Sequence, residues 1–588
     1  MKKTVSILLT AALLVSLLLA LPIASSAKEE ASDPVAISDA AGFAAMETGG
    51  SYYLTKDITI SETHSAAFSG TFDGKGFKIT TSVPLFDTFE GTAKDLVIEG
   101  AITSSADRCG AFCNTVTGES TFTNVTNKAN IAGSDSKVTS ADDLGVVGSY
   151  GGIIGTTLKN IPLTVENCSN YGKITGYDAG GLMGKSHAKL TMKNCKNFGD
   201  VSGADCGGGV VSWLWGDFTL ENCENGSKTV IPDITSAGDA PGGMVSYISE
   251  NTNGTFKNCV NYGHIHSESK DAAGIMGRSG AKGTHNYDGC VNYGPVEGDW
   301  AGGITGNEGK NGIHNYTGCI NYGSIEGTKT GGIVGVDQGA ITALRCMNYA
   351  DIKAQKQAAG IIGAFGASGG DQMESTVTYC GNEGKIVAAQ DTAGGIVAYA
   401  NASSVSKLTI KGCYNNGDVT GGCESSGILG YYNGGADSSC NACFNTGLIT
   451  TTDTGEKPLA LFYNKGSGAK AELSKDNFYL GGCAQNESRF GDNYLEMNPT
   501  AGDKFAYGEV CYKLNQALGE EVFFQTIGTD QYPSFDATHK RVVLEGQNYV
   551  NPAAQQNPTT GDGVYVMVAV AVISLLGAGY VAVRRVKE

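Results

Sequence analysis

Few side chains in this sequence have the type and spacing for chemistry, and most of those recur. His285 and His314 occupy the same slot in HNYDGC and HNYTGC, with His264 and His266 one repeat earlier. Imidazoles stacked at repeat spacing could take up a metal, but no carboxylate or cysteine recurs beside them at ligand spacing, so no metal site is expected. Cys440 and Cys443 form a Cys-x-x-Cys pair, yet Cys443 also belongs to a cysteine series that runs through the repeats. Glycoside hydrolysis needs two opposed carboxylates. Asp73 lies in the turn FDGKG, and Asp288, Asp299, Asp351 and Asp418 fall at different repeat positions. No catalytic residue and no cofactor is therefore assigned.

The elements that would position such groups come from internal repetition. Cys168, Cys195, Cys223, Cys259, Cys290, Cys319, Cys346, Cys380, Cys413 and Cys443 each open a similar segment, with Val125 in the same register of an earlier copy. The unit is roughly 30 residues. Before each cysteine the chain alternates, as in Leu163-Thr164-Val165-Glu166, which predicts a half-buried strand. A second short strand follows Asn-Tyr-Gly, centred on Ile174, Val201, Ile265, Val296 and Ile325. A third is the Gly-Gly-Ile-x-Gly element, as at Gly303 and Gly332. Three short strands per unit predict one coil of an all-β, right-handed parallel β-helix of about a dozen coils, because a lone coil cannot bury its apolar face. After the array, a helix over Gly508–Leu518 and an aromatic stretch predict a small α+β cap.

The Gly-Gly-Leu/Ile-x-Gly element with Asn-Cys-x-Asn-x-Gly resembles the GLUG repeat of bacterial surface proteins. GTFDGKGFKI resembles the opening coil of pectin-lyase-like β-helices. The likeness covers roughly residues 50 to 455 and implies an architecture, not an activity.

The two ends carry addresses. Lys2 and Lys3 precede an apolar run, and Ser25 and Ala27 suit signal peptidase, which predicts a signal peptide at 1–27 and export. Near the other end stands Asn557-Pro558-Thr559-Thr560-Gly561, then the apolar run 563–583, then Arg584, Arg585 and Lys587. The run is long enough to span a bilayer, and the basic tail favours the cytoplasmic side. Motif, span and tail in this order resemble the cell-wall sorting signal of Gram-positive surface proteins, with Asn557 where leucine is commonest. The resemblance implies transient membrane insertion, attack by a sortase thiolate on the Thr560 carbonyl, and transfer to peptidoglycan. The expected organisation is 28–455 solenoid, 456–550 cap, 551–562 linker with the sorting motif, 563–583 span and 584–588 cytoplasmic tail.

With 85 glycines, 12 prolines and 17% charged residues in 588, the composition is that of a turn-rich ordered chain. A net charge of −18 argues against nucleic acid as a partner. The 17 cysteines read either as a buried stack, where free cysteine packs well, or as disulfides or metal ligands. The repeated asparagines suit coil corners, where they bond local backbone. The surface candidates for ligand contact are Tyr171, Tyr262, Tyr293, Tyr322 and Trp300, since such rings combine apolar area with a polar tip. The expected function is an adhesin-like binding or display module at the cell wall for a glycan or host protein. The alternatives are a carbohydrate-active enzyme on the same helix, and a purely structural stalk.

Overall fold

The computed structural model describes residues 33–552, apart from 138–147, 269, 366–372, 402–404, 435–436, 454, 456, 466–473, 491–492 and 496–498. The expected signal peptide with Ser25 and Ala27, the motif Asn557–Gly561, the span and the tail all lie outside the described residues. Among the described residues no helix is long and apolar enough to cross a membrane.

The chain folds as the expected parallel β-helix. In the Cys290 coil the strands are Thr284–Asp288, Val291–Asn292, Val296–Gly302 and Thr305–Glu308. These are the three expected strands plus a two-residue piece at the corner after the cysteine. Each pairs in parallel and in register with its equivalent one coil on: His285 with His314, Asn292 with Asn321, Val296 with Ile325, Thr305 with Val334. One register row runs from Ile58 through Ile79 and Ile98 to Asn127, and onward to Asn445 and Tyr479. Coils stack at about 4.8 Å, the spacing of hydrogen-bonded strands.

That row holds an asparagine ladder. From Asn127 to Asn445, eleven buried asparagines are joined by ten bonds in which each amide N–H is passed to the side-chain carbonyl oxygen of the next, at 2.7–2.9 Å. Most also donate to the backbone two residues on, as Asn292 does to Gly294 at 2.8 Å. The expected local backbone bond is present, and the coil-to-coil chain comes in addition. The ladder bears on the second glycine of each pair: a Cβ on Gly303 would lie 2.6 Å from Asn321 Oδ1 and nearer still to the Gly332 carbonyl, whereas one on Gly302 would strike the Thr305 carbonyl at the turn. Left-handed backbone falls on the residue before the cysteine, asparagine at 167, 194, 222 and 258.

The ten recurrent cysteines are buried and free, so the stack reading holds for them. Their thiols lie near backbone carbonyls of the preceding coil, as Cys319 Sγ does at 3.2 Å from Tyr287 O. Val125 is equally buried in the same register.

Both ends differ from expectation. The helix Ala40–Ala44, N-capped by Asp39, packs Phe43 against Phe72 and Phe86 beneath the first coils. Stacking continues past the expected boundary at 455. Leu459–Asn464 pairs with Leu429–Asn433, then Asn486–Phe490 pairs with Leu459–Asn464. Asn493–Leu495 pairs antiparallel with Asn486–Phe490. The C-terminal α+β unit follows, with helices Gly502–Ala506 and Glu509–Leu518 and the hairpin Val543–Glu545/Asn548–Val550. It covers a flank: Phe505, Val510, Leu514 and Phe523 pack on Met347, Tyr379, Tyr414 and Phe444. The row Met347, Gly381, Tyr414, Phe444 is apolar on its outer side and needs that cover.

Replacing Asn292 by alanine removes one rung and leaves buried amide groups on both neighbours short of a partner, at a cost of about 2 kcal/mol. Urea denaturation should show N292A clearly less stable than E326A, which alters an exposed strand residue; equal losses would contradict the ladder's role.

Candidate functional site

The residue after each ladder asparagine points outward, because successive residues of extended chain alternate sides. In four successive coils it is tyrosine. Tyr262, Tyr293, Tyr322 and Tyr349 stack face to face at centroid separations of 5.0, 5.1 and 5.0 Å, with planes within 8°. Tyr293, Tyr322 and Tyr349 remain 43–45% exposed. Their faces are spent on one another, so what they offer solvent is ring edges and a line of hydroxyls. Burial, followed by the neighbouring phenol Tyr322, pushes the Tyr349 hydroxyl up to about 12. It is a neutral donor at ordinary pH.

The five expected contact residues do not form one surface. Tyr262, Tyr293 and Tyr322 belong to the row. Tyr171 stacks instead on Phe198, at 4.8 Å, and Gly226 occupies the slot between the two groups. Trp300 stands on the strand Val296–Gly302, half-buried, with the Lys329 ammonium 5.4 Å from its ring centre. Burial, together with the charge of Lys356, pulls the Lys329 pKa down.

A second aromatic group escaped sequence reasoning. Trp213 and Trp215 stack at 5.2 Å, His187 stacks on Trp215 at 5.4 Å, and Tyr247 meets Trp213 edge-on at 4.8 Å. Lys185 lies 4.6 Å from the Trp213 ring centre and 2.6 Å from Asp178. Asp178 is wholly buried; burial raises its pKa to about 6 against the pull of Lys185. Donor atoms of Asp178, Asp205 and Cys206 come within 4.8 Å of one another. SWLW was the visible signal, but its partners come from neighbouring coils.

The histidines correct an expectation. His285 and His314 do stack, at 5.4 Å, but carboxylates stand beside them. Glu308 Oε2 lies 2.9 Å from His285 Nδ1 and 3.5 Å from His314 Nε2, and Asp337 lies 2.9 Å from His314 Nδ1. Tyr287 donates to Glu308 at 2.6 Å, and Ser279 to its other oxygen at 2.5 Å. All four side chains, His285, Glu308, His314 and Asp337, are fully enclosed. Each acid follows its histidine by 23 residues, in ITGNE and IVGVD, and only coil closure makes that distance short. Burial pushes the Glu308 carboxyl up, but His314 and His285 outweigh it and hold it at about 2. Burial pulls His314 down, but Asp337 and Glu308 outweigh that and set it at about 9.

These shifts fix a pH window. His314 binds its proton more tightly folded than unfolded, so its stabilisation is whole below 6.5 and is lost as pH rises through about 9. Glu308 is the opposite case: its stabilisation is whole above 4.5 and is lost as pH falls through about 2. Thermal melts across pH should show E308Q destabilised between these limits, with a flatter acid limb than the wild type. Superimposable profiles would contradict the assignment.

No protein-family model matches the chain, and no curated protein matches it. A crystal structure described as a "putative immunoglobulin A1 protease" from Bacteroides ovatus is similar over 45% of this chain and 77% of its own, with 16% identity and a TM-score of 0.32. A likeness at that score carries no argument about activity.

Proposed function

We propose that this is an exported, sortase-anchored surface protein whose rod acts as an adhesin-like binding module for a glycan or protein. The row Tyr262–Tyr293–Tyr322–Tyr349 carries the reading. Four partly exposed aromatic rings are aligned along the axis at one per coil, a costly arrangement for solvent to meet and a good one for an extended ligand. Since the ring faces are occupied, a ligand would lie along the hydroxyls and edges. Repeated weak contacts along a rod fixed at one end sum to useful avidity. The anchoring half of the proposal rests on NPTTG, the apolar span and the basic tail.

A carbohydrate-active enzyme is the second reading, favoured by the approach of Asp178 and Asp205 near Lys185. Against it stands the burial of Asp178 and Lys185.

A glycan and host-protein array probed with the full chain should yield ligands whose binding falls roughly tenfold or more in Y293A/Y322A, a loss of about 1.4 kcal/mol. Ligands bound equally by the double variant would place recognition elsewhere. Replacing Thr560 should shift the protein from the wall fraction to membrane or medium, and continued wall linkage would sink the anchoring proposal.

A further inference from the structure

We propose that His264, His266 and Glu297 form a divalent-metal site suited to Zn2+. The strand His264–His266 sends Ile265 into the core, so both imidazoles project from the same outer face. Register brings the acids to them: Asp233 pairs with His264 from the preceding coil, and Glu297 pairs with His266 from the next. His266 Nδ1 lies 3.1 Å from Glu297 Oε2, His264 Nε2 lies 3.7 Å from Glu297 Oε1, and His264 Nδ1 lies 3.4 Å from Asp233 Oδ1. One donor atom from each of His264, His266 and Glu297 falls within 4.8 Å of the others.

Tetrahedral zinc, with bonds of about 2.0–2.1 Å, holds its donors roughly 3.3 Å apart. The three groups must close by about an ångström, and all three side chains are 35–48% exposed, so rotation about their side-chain bonds can supply it. His264 Nε2 is screened from solvent, yet it has no hydrogen-bond partner and faces the Glu297 carboxylate beyond bonding distance. A cation between them satisfies both. Two neutral imidazoles with the Glu297 and Asp233 carboxylates balance a double positive charge. Three protein donors leave a fourth position open toward solvent.

The buried group His285, Glu308 and His314 offers the same donor types without the same opportunity. Its carboxylate is already bonded by Tyr287, Ser279 and His285, and no side chain of the group reaches solvent. Each group holds one imidazole nitrogen without a hydrogen-bond partner, His264 Nε2 and His314 Nε2, but only the surface group has an entry path and a carboxylate not already bonded by several donors.

The full chain in detergent would be titrated with Zn2+ by calorimetry and with Co2+ by visible absorption. One equivalent with tetrahedral Co2+ bands is expected. H264A/H266A should lose that equivalent with an unchanged circular dichroism spectrum, and E297Q should weaken it roughly tenfold. C423S, which removes the partly exposed thiol, should leave it intact. The proposal is overturned if the wild type takes up no Zn2+, if the double variant keeps the same stoichiometry and affinity, or if C423S abolishes uptake.

Discussion

The asparagine ladder is the constraint on which the other features depend. A parallel stack of short strands can slip by a residue, and each slip would turn every inward side chain outward. A buried primary amide that donates to the next coil and accepts from the previous one is satisfied at a single register only. Eleven amides in line, linked by ten such bonds, make each coil's register the condition for its neighbours' hydrogen bonds. The second glycine of each pair follows from the ladder, because the chain must pass against the amides with no side chain in between.

Register, once set, turns a position in the repeat into a row along the molecule. Cysteine in its slot becomes a buried column, and tyrosine after the ladder asparagine becomes a stacked outer row. The same rule explains interruptions. Gly226 breaks the aromatic row, and the flank beginning at Met347 is apolar enough to require the C-terminal unit over it. In the coils of His285 and His314 a cluster of carboxylates, imidazoles and hydroxyls enters the interior as a closed, mutually bonded set, the condition under which buried charge is tolerated.

Much of the fold was legible because the repeat is long and regular. The strand order, the inward cysteines and the outward tyrosines all follow from alternation and spacing within one unit. The N-terminal helix was not legible, since five residues such as Ala40–Ala44 carry too little periodicity to announce themselves. The placement of the C-terminal unit on a flank was not legible either, because it depends on the outer face of coils that lie 61 residues and more earlier in the chain, counted from Phe505 back to Phe444.

The candidate sites divide the same way. The sequence by itself determined which residue types recur and hence which rows exist, including Tyr262, Tyr293 and Tyr322, and the pairing of His285 with His314. Only the tertiary structure decided what stands beside them: Glu308 and Asp337 at the enclosed imidazoles, Asp233 and Glu297 at His264 and His266, and Trp213 over the Asp178–Lys185 pair. Periodicity in a chain specifies neighbours at one repeat, whereas closure of a coil joins residues at a fraction of a repeat, and that geometry exists only once the chain has turned its corners.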